Sequence, residues 1–113
     1  PEEYTLERVR RDPPERAVFD WDDGNRAKCL KYGLTLAEIE FALEHGARVL
    51  PDPAHSENED RFVAVSRTAE GRAVFVAFCW RGARLRPISA RYMHRRESAR
   101  YDLATQDRSP DDH

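Results

Sequence analysis

The sequence has little of what a stapled, metal-built or membrane protein needs. It carries two cysteines, Cys29 and Cys79, too few for a disulfide framework. Its four histidines, His45, His55, His94 and His113, sit far apart, with no paired His and no Cys-x-x-Cys, so the common zinc-ligand spacings are missing. There is no Gly-rich phosphate loop and no Gly-x-Ser-x-Gly nucleophile motif. No apolar run approaches the ~18 residues that a membrane span needs. Pro1-Glu2-Glu3-Tyr4 shows no basic stretch followed by an apolar one, so no secretory signal is expected in these residues. The expectation is a cytoplasmic protein without metal or cofactor.

What is present is charge. In 113 residues, 35% are charged, 40% hydrophobic and 10% aromatic, enough for one domain with a modest core and a heavily charged surface. The net charge of −2 hides an asymmetry. Residues 1–60 carry 8 basic and 15 acidic side chains, residues 61–100 carry 10 and 2, and residues 101–113 carry 1 and 4. Of the 19 basic residues only Lys28 and Lys31 are lysine. The Arg fork suits phosphate, because its planar guanidinium donates two parallel hydrogen bonds. Composition leaves two readings open: a surface for a polyanion, or arginines that pair with the acidic N-terminal half.

Local patterns predict an α+β domain. Residues 1–17 read as a peripheral extension, with a short helix through Tyr4, Leu6 and Val9 broken at Asp12-Pro13-Pro14. Ala17-Val18-Phe19 reads as a short strand. Asp22 or Asp23 can cap a helix over 24–31, which Gly33 ends. Thr35-Leu36-Ala37-Glu38 is a capping box, with Leu34 placed to staple against Ile39, and Gly46 stops that helix. The period then changes to two. Strands are expected over Ala47–Leu50, Arg61–Arg67, Ala73–Trp80 and Leu85–Ala90, the third apolar on both faces and so covered on both sides. Pro87 cannot donate to a ladder and favours an edge or irregular position. Residues 93–102 read as a basic helix, and 103–113 as a polar, frayed tail. Helices followed by an antiparallel meander make the α+β class.

Within this frame the arginines stand out. Arg84 and Arg86 alternate with Leu85 and Pro87 and project from one strand face. Arg91 follows, Arg61 and Arg67 bracket the neighbouring strand, and His94, Arg95, Arg96 and Arg100 lie on the last helix. Residues 81–100 hold seven basic side chains and one acidic, so pairing within the segment is incomplete. Metal-free RNA cleavage needs a group to deprotonate the ribose 2′-hydroxyl, another to protonate the leaving 5′-oxygen, and cations for the pentacoordinate phosphate. Lys31, Tyr32, Tyr92, His94 and Glu97 are proton-transfer candidates. Arg61, Arg84, Arg86 and Arg91 are phosphate candidates, with Lys28, Arg67, Arg95 and Arg96 as further RNA contacts. The alternative for Tyr32 is that it closes the helix end against the core. Asp52, His55, Glu57 and Glu59 share a loop that reads as solvated rather than metal-binding. Both cysteines read as packed thiols.

Phe19-Asp20-Trp21-Asp22-Asp23-Gly24-Asn25, then Lys28-Cys29-x-Lys31-Tyr32-Gly33-Leu34, resembles the N-terminal signature of the BrnT toxins. Asp60-Arg61-Phe62 resembles their strand start. Arg84-x-Arg86-Pro87-Ile88-Ser89-Ala90-Arg91, with Arg95-Arg96-Glu97 and Tyr101, resembles their C-terminal signature. The resemblance covers residues 18–102. It implies a RelE-like fold and a type II toxin that cleaves RNA and blocks translation. It also implies a BrnA-like ribbon-helix-helix antitoxin as partner, with operator DNA bound through the complex. The chain departs from the pattern at Tyr32, where the family usually has His, and at Ser66, where many members have Gly. The Tyr32 departure keeps a second reading open: a subunit that no longer cleaves and acts as co-repressor with its antitoxin. A stand-alone nucleic-acid-binding domain is the third.

Overall fold

The computed structural model describes residues 4, 5 and 18–101. Two helices, α1 (Asp23–Leu30) and α2 (Leu36–Glu44), precede most of an antiparallel sheet. The strands are β1 (Tyr4–Thr5), β2 (Arg48–Pro51), β3 (Arg61–Arg67), β4 (Ala73–Arg81) and β5 (Arg84–Tyr92). They lie side by side in chain order, and a short helix α3 (Arg95–Arg100) follows.

The helix starts are set by side-chain caps. Asp22 accepts from the Asn25 N–H at 3.0 Å, and the Asn25 side-chain oxygen accepts from the Asp22 N–H at 2.7 Å. Thr35 and Glu38 make the same reciprocal pair at the start of α2. Gly33 takes φ +97° between the helices, a conformation that side chains with a Cβ disfavour.

The helices cover one face of the sheet. Ile39, Ala42 and Leu43 of α2, with Leu34 and Cys29, pack on Val49, Ala64, Val74, Val76, Phe78 and Leu85. Each large side chain in this layer stabilises the fold by about 1.5–3 kcal/mol. One polar group belongs to the layer. Ser66 is buried, and its hydroxyl donates to the Ala42 carbonyl at 2.7 Å, satisfying a backbone acceptor near the open end of α2.

Several expectations need correcting. Tyr4–Thr5 is extended and pairs with β2 rather than starting a helix; Leu6 and Val9 lie outside the described residues. Phe19 makes a single parallel bridge to Leu85, not a strand, held by the Leu85 N–H donating to the Val18 carbonyl and the Asp20 N–H to the Leu85 carbonyl; Ala17 lies outside the described residues. Helix α3 is shorter than 93–102, with His94 at its N-cap and a turn at Tyr101. Among the described residues, the second face of β4 is not covered along its whole length. Met93 and Tyr101 pack with Val65 and Phe75 at one end, while Phe75 and Ala77 stay half-buried beneath an open groove.

Pro87 does sit on an outer strand and beside an irregularity. Pairing jumps from Ala77–Ser89 to Phe78–Pro87, so Ile88 has no partner on β4. The Pro87 carbonyl accepts from the buried Asn25 side chain at 2.8 Å, which joins α1 to β5.

Candidate active site

The sheet face turned away from the helices carries three successive cross-strand rows. Arg48, Val65, Phe75 and Arg91 form the first; Leu50, Val63, Ala77 and Ser89 the second; Arg61, Cys79 and Arg86 the third. Arg86 and Arg91 are five positions apart, and an odd separation in a regular strand points two side chains to opposite faces. The bulge at Ile88 restores the parity and brings both to one face.

Around the first two rows lies a groove of about 490 Å³. Its floor is Leu50, Val63, Phe75 and Ala77, and its rim includes Tyr32, Ser89, Arg91 and Tyr101. Arg48 donates to the Tyr101 carbonyl, which ties β2 to the end of α3. The Arg91 guanidinium lies 4.7 Å from the Phe75 ring centre. It also grips Glu97 with two hydrogen bonds of 2.9 and 2.8 Å. Glu97 accepts a third from the His94 N–H at 2.9 Å. Those contacts, Arg91 first and the His94 N–H second, hold the Glu97 carboxyl down to about 2. At neutral pH it is an ionised clamp on Arg91 and a weak proton acceptor.

The third row opens into a second cavity of about 200 Å³, lined by Lys28, Arg61, Arg81 and Arg86 with Glu59 among them. Two of these cations are committed. Arg86 lies 2.9 Å from Asp22 and 3.6 Å from Asp20. Arg81 donates twice to Glu59, each bond 3.1 Å. The Asn25 N–H, and then Arg86, hold the Asp22 carboxyl below the usual carboxylate range. Arg81 does the same for Glu59.

The candidates therefore divide into groups. Tyr32, Arg91 and Glu97 share one end of the outer face, Tyr32 being 55% exposed with the Lys31 ammonium 5.5 Å from its ring centre. The exposure of Tyr32 answers the alternative that it closes the helix end against the core. His94 is exposed beside them at the start of α3, which also carries the exposed Arg95 and Arg96. Lys28, Arg61 and Arg86 meet at the other end. Arg84 is exposed at the β4–β5 turn, with no hydrogen bond or ion pair among the described residues. Arg67 ends β3 away from both cavities, opposite Ala73. Tyr92 points to the helical side, where its hydroxyl lies 3.3 Å from Glu38. Burial raises both thiols, Cys29 to about 11, which suits packed cysteines rather than nucleophiles. In the acidic loop Asp52 faces His55 at 3.1 Å while Glu59 turns to Arg81. Among the described residues no three His, Cys, Asp or Glu side chains converge as a metal set.

Asp22 was legible as a helix cap, and Asp20, Asp22 and Asn25 as part of the N-terminal signature, but their anchoring of Arg86 and β5 was not. That Ser89 and Arg91 share a face with Arg86 and lie over the groove was hidden by the bulge, which the sequence signals only through Pro87.

Comparison with protein-family models matches residues 21–97 to the ribonuclease toxin BrnT of type II toxin–antitoxin systems. The chain belongs to the BrnT family. The match begins at Trp21 beside the Asp20–Asp22–Arg86 cluster and ends at Glu97, the partner of Arg91. Both ends of the outer face thus lie within the BrnT region. No curated protein and no solved structure matches the chain. No described helix is long and apolar enough to cross a membrane.

Proposed function

We propose that this chain is a metal-independent endoribonuclease that arrests translation until a BrnA-like ribbon-helix-helix antitoxin neutralises it. The observation that carries the reading is the open groove on the outer face, where the Arg91–Glu97 clamp and the exposed Tyr32 meet over an apolar floor. A bidentate carboxylate leaves Arg91 fixed in place, and a fixed guanidinium can stabilise charge that builds on a phosphate without reorganising. The ribose 2′-oxygen attacks phosphorus and gives up its proton, the 5′-oxygen leaves and takes one, and the products are a 2′,3′-cyclic phosphate and a 5′-hydroxyl. Tyr32, Lys31 and His94 are the groups at this end able to exchange those protons. Glu97 is assigned to holding Arg91. Arg84 on β5 and Arg61 on β3 extend the positive surface, and Lys28, Arg67, Arg95 and Arg96 are further candidate contacts.

Incubating the purified chain with total RNA in chelator, with Tyr32→Phe alongside, tests this. Fragments ending in 2′,3′-cyclic phosphate, lost in the variant, are expected. Intact RNA from folded protein would overturn it.

The second reading, a co-repressor that binds operator DNA only with its antitoxin, is favoured by two features. Tyr32 stands at the usual His, and the Glu97 carboxylate is already consumed by Arg91. Intact RNA together with tight, antitoxin-dependent operator binding would select it.

A further inference from the structure

The cavity at the third row contains a charge imbalance away from the groups assigned to the reacting centre. Four cations and one carboxylate line it. Arg81 is matched by Glu59, and Arg86 by Asp20 and Asp22. The side chains of Lys28 and Arg61 make no hydrogen bond or ion pair among the described residues, although Arg61 lies within electrostatic reach of Glu59, and both face the same space of about 200 Å³. They come from different elements, Lys28 from the last turn of α1 and Arg61 from the start of β3. The paired arginines form stiff walls between them. A small anion entering here meets two positive groups that need not break an existing pair to bind it.

The cavity is not the cleavage groove. On β4, Phe75 lies beside Arg91 and Cys79 beside Arg86, and four residues of strand span about 13 Å. At ~3.4 Å per phosphate along one stacked strand, that is about four nucleotides.

We infer that Lys28 and Arg61 form a subsite for a backbone phosphate of single-stranded RNA, several nucleotides away from the phosphate cleaved beside Arg91. The inference rests on the ribonuclease reading and extends it to substrate length: a strand must reach both cavities to bind well. Arg61 is thereby a binding residue rather than part of the reacting centre.

The test uses fully 2′-O-methylated RNA, which has no free 2′-hydroxyl and cannot be cut. Binding of a ten-nucleotide and a three-nucleotide strand is followed by fluorescence anisotropy over a range of salt. Lys28→Gln, Arg61→Gln and, as a control on the same helix, Arg26→Gln are compared; Arg26 pairs with Asp23 outside the cavity. Lys28→Gln is expected to weaken the longer strand about tenfold at low salt, and to flatten the dependence of log affinity on log salt by ~0.7. The short strand and Arg26→Gln are expected to be unaffected. On a cleavable ten-nucleotide strand, KM rises and kcat holds. Equal losses on both strands, an equal loss in Arg26→Gln, or an unchanged salt slope would overturn the subsite alone. Wild-type protein that binds neither strand would overturn the ribonuclease reading and the subsite together. Variants that bind RNA normally but lose an acidic antitoxin peptide would transfer the cavity to the protein partner and overturn its assignment to RNA.

Discussion

The Arg86 guanidinium on β5 lies 2.9 Å from the Asp22 carboxylate that caps α1. One side chain thus joins a helix start to the outermost long strand, and Asp20 joins the same arginine at 3.6 Å. The arginine is 17% exposed, so it works mainly inside the fold. Arg86→Ala is expected to lower Tm by roughly 4–8 °C, the shift that ~1 kcal/mol produces in a domain of this size. Arg84→Ala, exposed and unpaired among the described residues, should move Tm by no more than a degree or two. Thermal unfolding of the two single variants checks this. It also decides how an Arg84/Arg86 double variant is read, since lost activity there can come from lost fold.

Glu97 makes stability depend on acid. Its carboxyl is held at about 2 in the folded state, against 4.5 as the ordinary value. A depressed folded value means that the contribution is complete above about 4.5 and is lost as pH falls towards about 2. Urea unfolding of wild type and Glu97→Gln from neutral pH downwards should show a gap that is constant above that window and closes within it. A gap that widens on acidification would contradict the clamp.

Ser66 is the buried polar group between β3 and α2. Ser66→Gly removes the bond to the Ala42 carbonyl and loosens the strand. A cost of about 1–2 kcal/mol is expected in urea unfolding, with cleavage activity unchanged because the residue faces the helical side.

Both thiols are buried and raised by that burial. A thiol-specific reagent should label neither in the native protein and both in denaturant. Rapid native labelling of Cys79 would mean that the cavity beside Arg86 opens more widely than its walls suggest.

Much of the fold was readable because its causes are local. The capping box at Thr35–Glu38, the turns at Gly33, Gly46 and Gly82, and the strand Arg61–Arg67 depend on neighbours a few positions away, and each is found where its residues place it. The extent of covering on β4 was not readable. An apolar strand with two apolar faces looks the same whether its second face meets a helix or an open groove. The division of the arginines was also hidden. Arg86 and Arg84 look equivalent in sequence, and only the Asp20–Asp22 turn, more than sixty positions upstream, makes one a tie and leaves the other unpaired. Pro87 announced an irregularity but not its consequence for the direction of Arg91.

From β2 onward every strand pairs with the strand just before or after it in the chain. Such neighbours leave short loops to close between β3, β4 and β5, whereas the bridge from Phe19 to Leu85 spans most of the domain. Closing that long loop costs more chain entropy than closing any of the hairpins, so the Asp22–Arg86 tie is the contact expected to set the pace of folding.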